Sequence, residues 1–103
     1  MFVHAVYFWL RDDLENHQRA QFAQGLKSLT SIETVNRSYI GVPAGTDREI
    51  IDRSYSYALL LVFADQRAHD LYQTHPTHDR FRENCSAFWN RVQIYDSIGE
   101  QEN

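Results

Sequence analysis

The chain has 103 residues, 43% of them apolar and 23% charged, and its 10 Lys/Arg against 14 Asp/Glu give a formal net charge of −4. These values describe an ordinary globular chain and exclude a disordered, collagen-like or coiled-coil one. The acidic balance, without any cluster of basic residues, excludes a surface that tracks a phosphate backbone, so no nucleic-acid partner is expected.

At this length a single domain over residues 1–103 is expected, burying about two-thirds of its unfolded surface with no need of disulfides or metal. The apolar start "MFVHAVYFWL" has no basic region before it and no small-residue cleavage site after it. It also falls well short of the roughly 20 apolar residues of a membrane span. It reads as a strand over residues 2–10 of a cytoplasmic protein with no membrane contact. The single cysteine, Cys85, cannot form an internal disulfide, which fits a reducing compartment.

After this strand, Asp12 or Asp13 is expected to cap a helix in which Phe22, Leu26 and Leu29 recur on one face, ending near Ser31. Residues 34–42, "TVNRSYIGV", predict a second strand, stopped by Pro43 and Gly45. "YSYALLLVFA", residues 55–64, predicts the third and strongest, close enough in sequence to pair antiparallel with the second. Asp65 is placed to cap a second helix, with Ala68, Leu71 and Tyr72 on a common face. Pro76 lacks an amide hydrogen and disfavours helical geometry at His75, so the helix should end or bend there. A third helical stretch puts Phe81, Cys85, Phe88 and Trp89 on one side, and "RVQIYDSI" supplies the last strand. "GEQEN" reads as a solvated tail.

The order strand, helix, strand, strand, helix, strand is that of a ferredoxin-like α+β domain, with a four-stranded antiparallel sheet covered by helices on one face. Both faces of the two strongest strands are nonetheless apolar. Val3, Ala5, Tyr7 and Trp9 oppose Val6, Phe8 and Leu10, while Ala58, Leu60 and Val62 oppose Leu59, Leu61 and Phe63. A sheet face without a cover in its own chain predicts a homodimer that stacks the two sheets into a barrel.

Candidate chemistry gathers at "DLYQTHPTHDRF", residues 70–81. Tyr72 and His78 both lie on the core side of their helices, and a bend at Pro76 would turn them toward one space between helix and sheet. A phenol and an imidazole facing an apolar pocket can serve as hydrogen-bond donor and general base. The competing reading has His78 bracing the broken helix by bonding a freed carbonyl, with Tyr72 merely packed. His4, the polar residue in the first strand, shares a face with Val6, Phe8 and Leu10 and is either a substrate contact or a satisfied core histidine. His75, His78 and Cys85 are metal-ligand types, but the proline breaks their spacing and no HExxH or paired-cysteine signature is present, so no metal is expected. Cys85 reads as a small buried hydrophobe, and Arg37, Arg48, Arg53, Arg80 and Arg82 as solvated or in weak surface pairs.

The series "YQTHPTHDRF", together with "HAVYFWL", "SYALLLVF", "AFW" and "VQIYD", resembles the stress-responsive dimeric α/β-barrel family over nearly the whole chain. The resemblance implies a ferredoxin-like fold, a two-fold dimer around a central β-barrel and no cofactor. It also implies a role for particular residues, because the family includes a plant polyketide cyclase that closes an aromatic ring by aldol condensation. The pair matching Tyr72 and His78 is catalytic there, with the histidine as general base. Counterparts of His4, Phe22, Leu59, Trp89, Val92 and Ile94 line its pocket, and His75 joins them here as the first histidine of the "HPxH" pair. This chain departs from the cyclase at Leu26, where the cyclase has tyrosine, and at Ala23, where it has phenylalanine, so the substrate does not carry over.

The expectations are thus a cyclase or lyase-type enzyme acting on a carbonyl-containing small molecule, a ligand-binding module without turnover, or a stress-protective dimer. An enzyme requires an open cavity. A purely structural dimer would fill the same space with Phe8, Phe22, Phe63 and Trp89.

Overall fold

A computed structural model describes residues 1–101. β1 (Phe2–Leu10) alternates strictly, with Phe2, His4, Val6, Phe8 and Leu10 buried and the residues between them half-buried. It pairs antiparallel with β3 (Tyr57–Phe63) on one side and β4 (Trp89–Ile98) on the other, and β2 (Arg37–Gly41) adds to β3, giving the order β2-β3-β1-β4. α1 (Asn16–Thr30), α2 (Gln66–Gln73) and α3 (Pro76–Cys85) complete the chain order of a ferredoxin-like fold. Among the described residues no helix is long and apolar enough to cross a membrane.

Several boundaries differ from the sequence reading for local reasons. α1 is capped at Glu15, whose N–H donates to the Gln18 side chain at 2.8 Å. Asp13 is instead held in a two-pronged ion pair by Arg11, at 3.1 and 3.0 Å. β2 starts at Arg37 because the Val35 N–H turns back to the Ile32 carbonyl at 2.9 Å, and strand-like bonding begins with the Asn36 N–H to the Val62 carbonyl at 2.8 Å. Asp65 caps α2 as expected, accepting from the Ala68 N–H at 2.9 Å. In that helix Tyr72 and His69 are buried, whereas Leu71, expected on the same face, is 51% exposed. α3 stops at Cys85, and a single tight turn over Ser86–Phe88 leads into β4, so Trp89 opens a strand instead of closing a helix. Of the expected tail, residues 102 and 103 lie outside the described residues.

The core fills the layer between the helices and the inner sheet face. Phe22, Leu26, Leu61 and Phe63 have no exposed surface, and burying each contributes about 1.5–3 kcal/mol. On the outer face Val3, Ala5, Tyr7, Leu60 and Val62 are half-buried, flanked by exposed Tyr39 and Tyr95. That face becomes polar toward one corner, where the Arg91 guanidinium lies 4.1 Å from the centre of the Trp9 ring.

α1 and α3 meet at Gly25. A Cβ there would lie 2.8 Å from the Cys85 Sγ and 3.0 Å from the Phe81 ring, and both of those side chains are buried. Gly25→Ala would gain up to about 1 kcal/mol of helix propensity but force apart a packed contact at a cost of about 1–3 kcal/mol. A net loss of stability is expected, read as a lower urea midpoint with unchanged slope. In the double variant with Cys85→Ala, the loss should be smaller than the sum of the single losses.

Candidate functional site

The site begins with the break between α2 and α3. The last turn of α2 closes with the His75 N–H on the Tyr72 carbonyl at 3.1 Å. His75 itself is extended, and Pro76 takes the first position of α3, where a missing N–H costs nothing. The His75 Nδ1 accepts from the Thr77 N–H at 3.0 Å, and its Nε2 lies 3.4 Å from the Glu33 carboxylate. His75 thus meets a freed N–H at the start of α3. His75 caps the helix and does not line the cavity.

With the break fixed in this way, Tyr72 at the end of α2 and His78 at the start of α3 face each other, ring centres 5.0 Å apart and edge to face. His4 of β1 comes up on the other side of Tyr72, with ring centres 5.8 Å apart. These side chains lie against a cavity of about 460 Å³, whose apolar wall includes Val6, Phe8, Leu59, Trp89, Val92 and Ile94. Exposed Arg82 and Ser86 border it as well. Phe22, grouped with the pocket by resemblance, packs inside the core against Phe8, Phe81 and Trp89, and Phe8 takes its place on the wall.

Two residues of the site escaped the sequence reading. Asp96 lies directly across from His4 in the β1–β4 register, and its Oδ1 is 2.5 Å from the His4 Nδ1. His69, one turn before Tyr72, stacks on Phe2 at 4.5 Å and stands 4.9 Å from His4. The spacing of three residues from Tyr72 was a usable signal for His69. Asp96 had none, because only strand register brings positions 4 and 96 together.

Burial governs the titration of the site. The Tyr72 phenol is pushed well above its usual value by desolvation and remains a neutral donor. Burial lowers His4, outweighing the opposite pull of Asp96, and lowers His78, helped by the nearby Arg82 guanidinium. Each ring is therefore neutral near pH 7, with one N–H and one lone pair. The His78 Nδ1 is buried without a hydrogen-bond partner. Cys85 is held as a thiol by burial.

His4, His69 and Asp96 are, among the described residues, the group whose donor atoms come within 4.8 Å of one another, as metal ligands would. The Asp96 Oδ1 is engaged by His4, and the ring nitrogens of His69 lie 3.0 Å from the Asp70 carboxylate and 3.1 Å from the Gln73 amide. The arrangement is a hydrogen-bonded network in which the His4 Nδ1, the Asp96 Oδ1 and both ring nitrogens of His69 already have partners.

A four-stranded antiparallel sheet with helices on one face and a polar-tipped cavity between the layers defines a ferredoxin-like α/β-barrel domain. The chain belongs to the stress responsive A/B barrel domain family, whose model matches residues 2–98. Solved structures with the same fold include a hydroxynitrile lyase from Passiflora edulis, at TM-score 0.79 and 15% identity over 99% of this chain and 96% of that one. A family member from Mesorhizobium loti aligns at TM-score 0.76 and 23% identity over 95% of each chain. A dimeric ferredoxin-like protein of unknown function from Thermobifida fusca aligns at 0.75 and 17% over 94% and 89%. A comparison with curated proteins found no match.

Because His4 and His78 are both held below the ordinary imidazole value of 6.5, the unfolded chain takes up protons before the folded chain as pH falls. Their contribution to stability is complete above that value and is lost as the pH falls from it through the lower folded-state values. The melting temperature should fall between about pH 7.5 and 5, and fall less in His78→Gln. A profile that is the same in the variant would show that the buried ring does not drive the loss.

Proposed function

We propose that this protein is an enzyme of carbonyl chemistry, of the lyase or cyclase type, acting on a small molecule with an apolar body and using its own side chains. The observation that carries this reading is the grouping of neutral His4, Tyr72 and His78 against a mostly apolar cavity. Polar side chains gathered on a mostly apolar cavity are what a ligand with one polar end would meet, and this supports the reading. The Tyr72 hydroxyl would hold the oxygen of the reacting group, while a cavity imidazole takes the proton. That proton comes either from the carbon beside a carbonyl, leaving charge on the oxygen, or from the hydroxyl of a cyanohydrin, whose O–H pair forms the carbonyl as cyanide leaves and takes up the proton. The reading is supported by a fold neighbour from Passiflora edulis that is a hydroxynitrile lyase.

The assembly belongs to the same proposal. A second copy of the chain covers the apolar outer face of the sheet, as the mostly apolar surface of β1 and β3 requires. The dimeric Thermobifida fusca neighbour supports this.

Two probes test the activity: mandelonitrile, followed by release of benzaldehyde, and acetophenone in D2O, followed by exchange of its methyl hydrogens. Tyr72→Phe removes only a hydroxyl and should leave the melting temperature nearly unchanged while lowering turnover by about 10²–10³-fold. Turnover that ignores the substitution would contradict the proposal. Saturable binding with no product from either probe would favour the non-catalytic ligand-binding module.

A further inference from the structure

Resting on that reading, we infer that His4, held by Asp96, is the group that takes the proton, and that His78 is a hydrogen-bond donor. The two imidazoles border one cavity, but their far nitrogens sit in opposite surroundings. The His4 Nδ1 lies 2.5 Å from the Asp96 carboxylate. A carboxylate only accepts, so this nitrogen carries the hydrogen and the lone pair is on Nε2. When the ring gains a second proton, its positive charge already has a carboxylate beside it.

His78 has no such support, since its Nδ1 is buried and without a partner. As an imidazolium it would carry a charged N–H at that position with nothing to accept it. The charged groups around His78 are Arg82 and Asp79 of its own helix, with His4 and His69 across the cavity. Arg82 outweighs Asp79 there and opposes a positive ring. Around His4, Asp96 of β4 favours the charge and His69 of α2 opposes it. Burial opposes a positive charge on both rings, but only His4 has a carboxylate on its Nδ1, so the proton is assigned there, while a neutral His78 with hydrogen on Nε2 can join Tyr72 as a second donor.

In the resulting step the His4 Nε2 takes hydrogen as a proton from the carbon beside the carbonyl. The electron pair of that C–H bond moves to form a carbon–carbon double bond, and the carbonyl pair moves onto oxygen. Tyr72 and His78 donate to that oxygen, and His4 returns the proton to carbon. Asp96 touches no substrate and acts as a positioning residue through His4.

Nitrogen-15 spectra of histidine-labelled wild-type protein at neutral pH read the proton positions directly, without any substrate. The expected result is hydrogen on Nδ1 of His4 and on Nε2 of His78; hydrogen on Nε2 of His4 would overturn the inference. With acetophenone in D2O as probe, His4→Gln should cost about 10²–10⁴-fold, and His78→Gln, which keeps an N–H donor, about tenfold. Asp96→Asn should lower kcat with KM held, and move the acidic limb of the pH profile to lower pH because the carboxylate no longer supports the imidazolium. The reverse order of the histidine variants, or an unmoved limb, would assign the base to His78. The tautomers decide the proton arrangement whether or not the probe turns over, so a failed activity is distinguishable from a failed assignment.

Discussion

The site depends on one break in the chain. Pro76 cannot continue α2, and the extended backbone it imposes at His75 restarts a helix in a new direction. Had α2 continued unbroken, Tyr72 and His78 would lie six residues apart on one helix, well separated around its circumference. The break instead brings their rings edge to face. His75 makes the change of direction cheap, because its ring supplies the cap that the new helix requires. The motif thus separates two tasks between similar residues: the first histidine holds the backbone, and the second is free to face the cavity.

A second constraint comes from the sheet. Alternation along β1 sends His4 into the layer occupied by Phe2, Val6 and Phe8, where an unpartnered imidazole would be destabilising. The antiparallel register with β4 answers this by placing Asp96 directly opposite. The same register lines up Val6 with Ile94 and Phe8 with Val92, so the strand that orients His4 also builds part of the apolar wall beside it. Packing and chemistry are set together here, since a shift of β4 by one residue would move Asp96 to the outer face and take the wall with it.

How much of this was readable in advance follows from the range of the interactions. Strand and helix types, the burial of Phe22, Leu26 and Leu29, the Asp65 cap and the interruption at Pro76 are all local signals, and they appear in the structure at nearly the expected positions. So does the convergence of His4, Tyr72 and His78 with Leu59, Trp89, Val92 and Ile94. Local competition displaced the rest. Asp13 was drawn to Arg11, which left Glu15 to cap α1, and Leu71 rotated outward because the last turns of α2 present His69 and Tyr72 to the sheet. Phe22 left the pocket wall because it fits more fully among Phe8, Phe81 and Trp89. The pairing of His4 with Asp96 has no local trace at all, and neither does the contrast between the two histidines that follows from it.

The central claim is that the space between Tyr72 and the two imidazoles is a ligand site. Titration with a panel of small aromatic and aliphatic aldehydes and ketones, observed through the ring signals of His4 and His78 by NMR, tests it most directly. The account predicts that at least one compound produces saturable shifts at both rings, and that Tyr72→Phe weakens them. Shifts confined to Tyr7 and Trp9 on the outer sheet face, or none at either histidine across the panel, would contradict it.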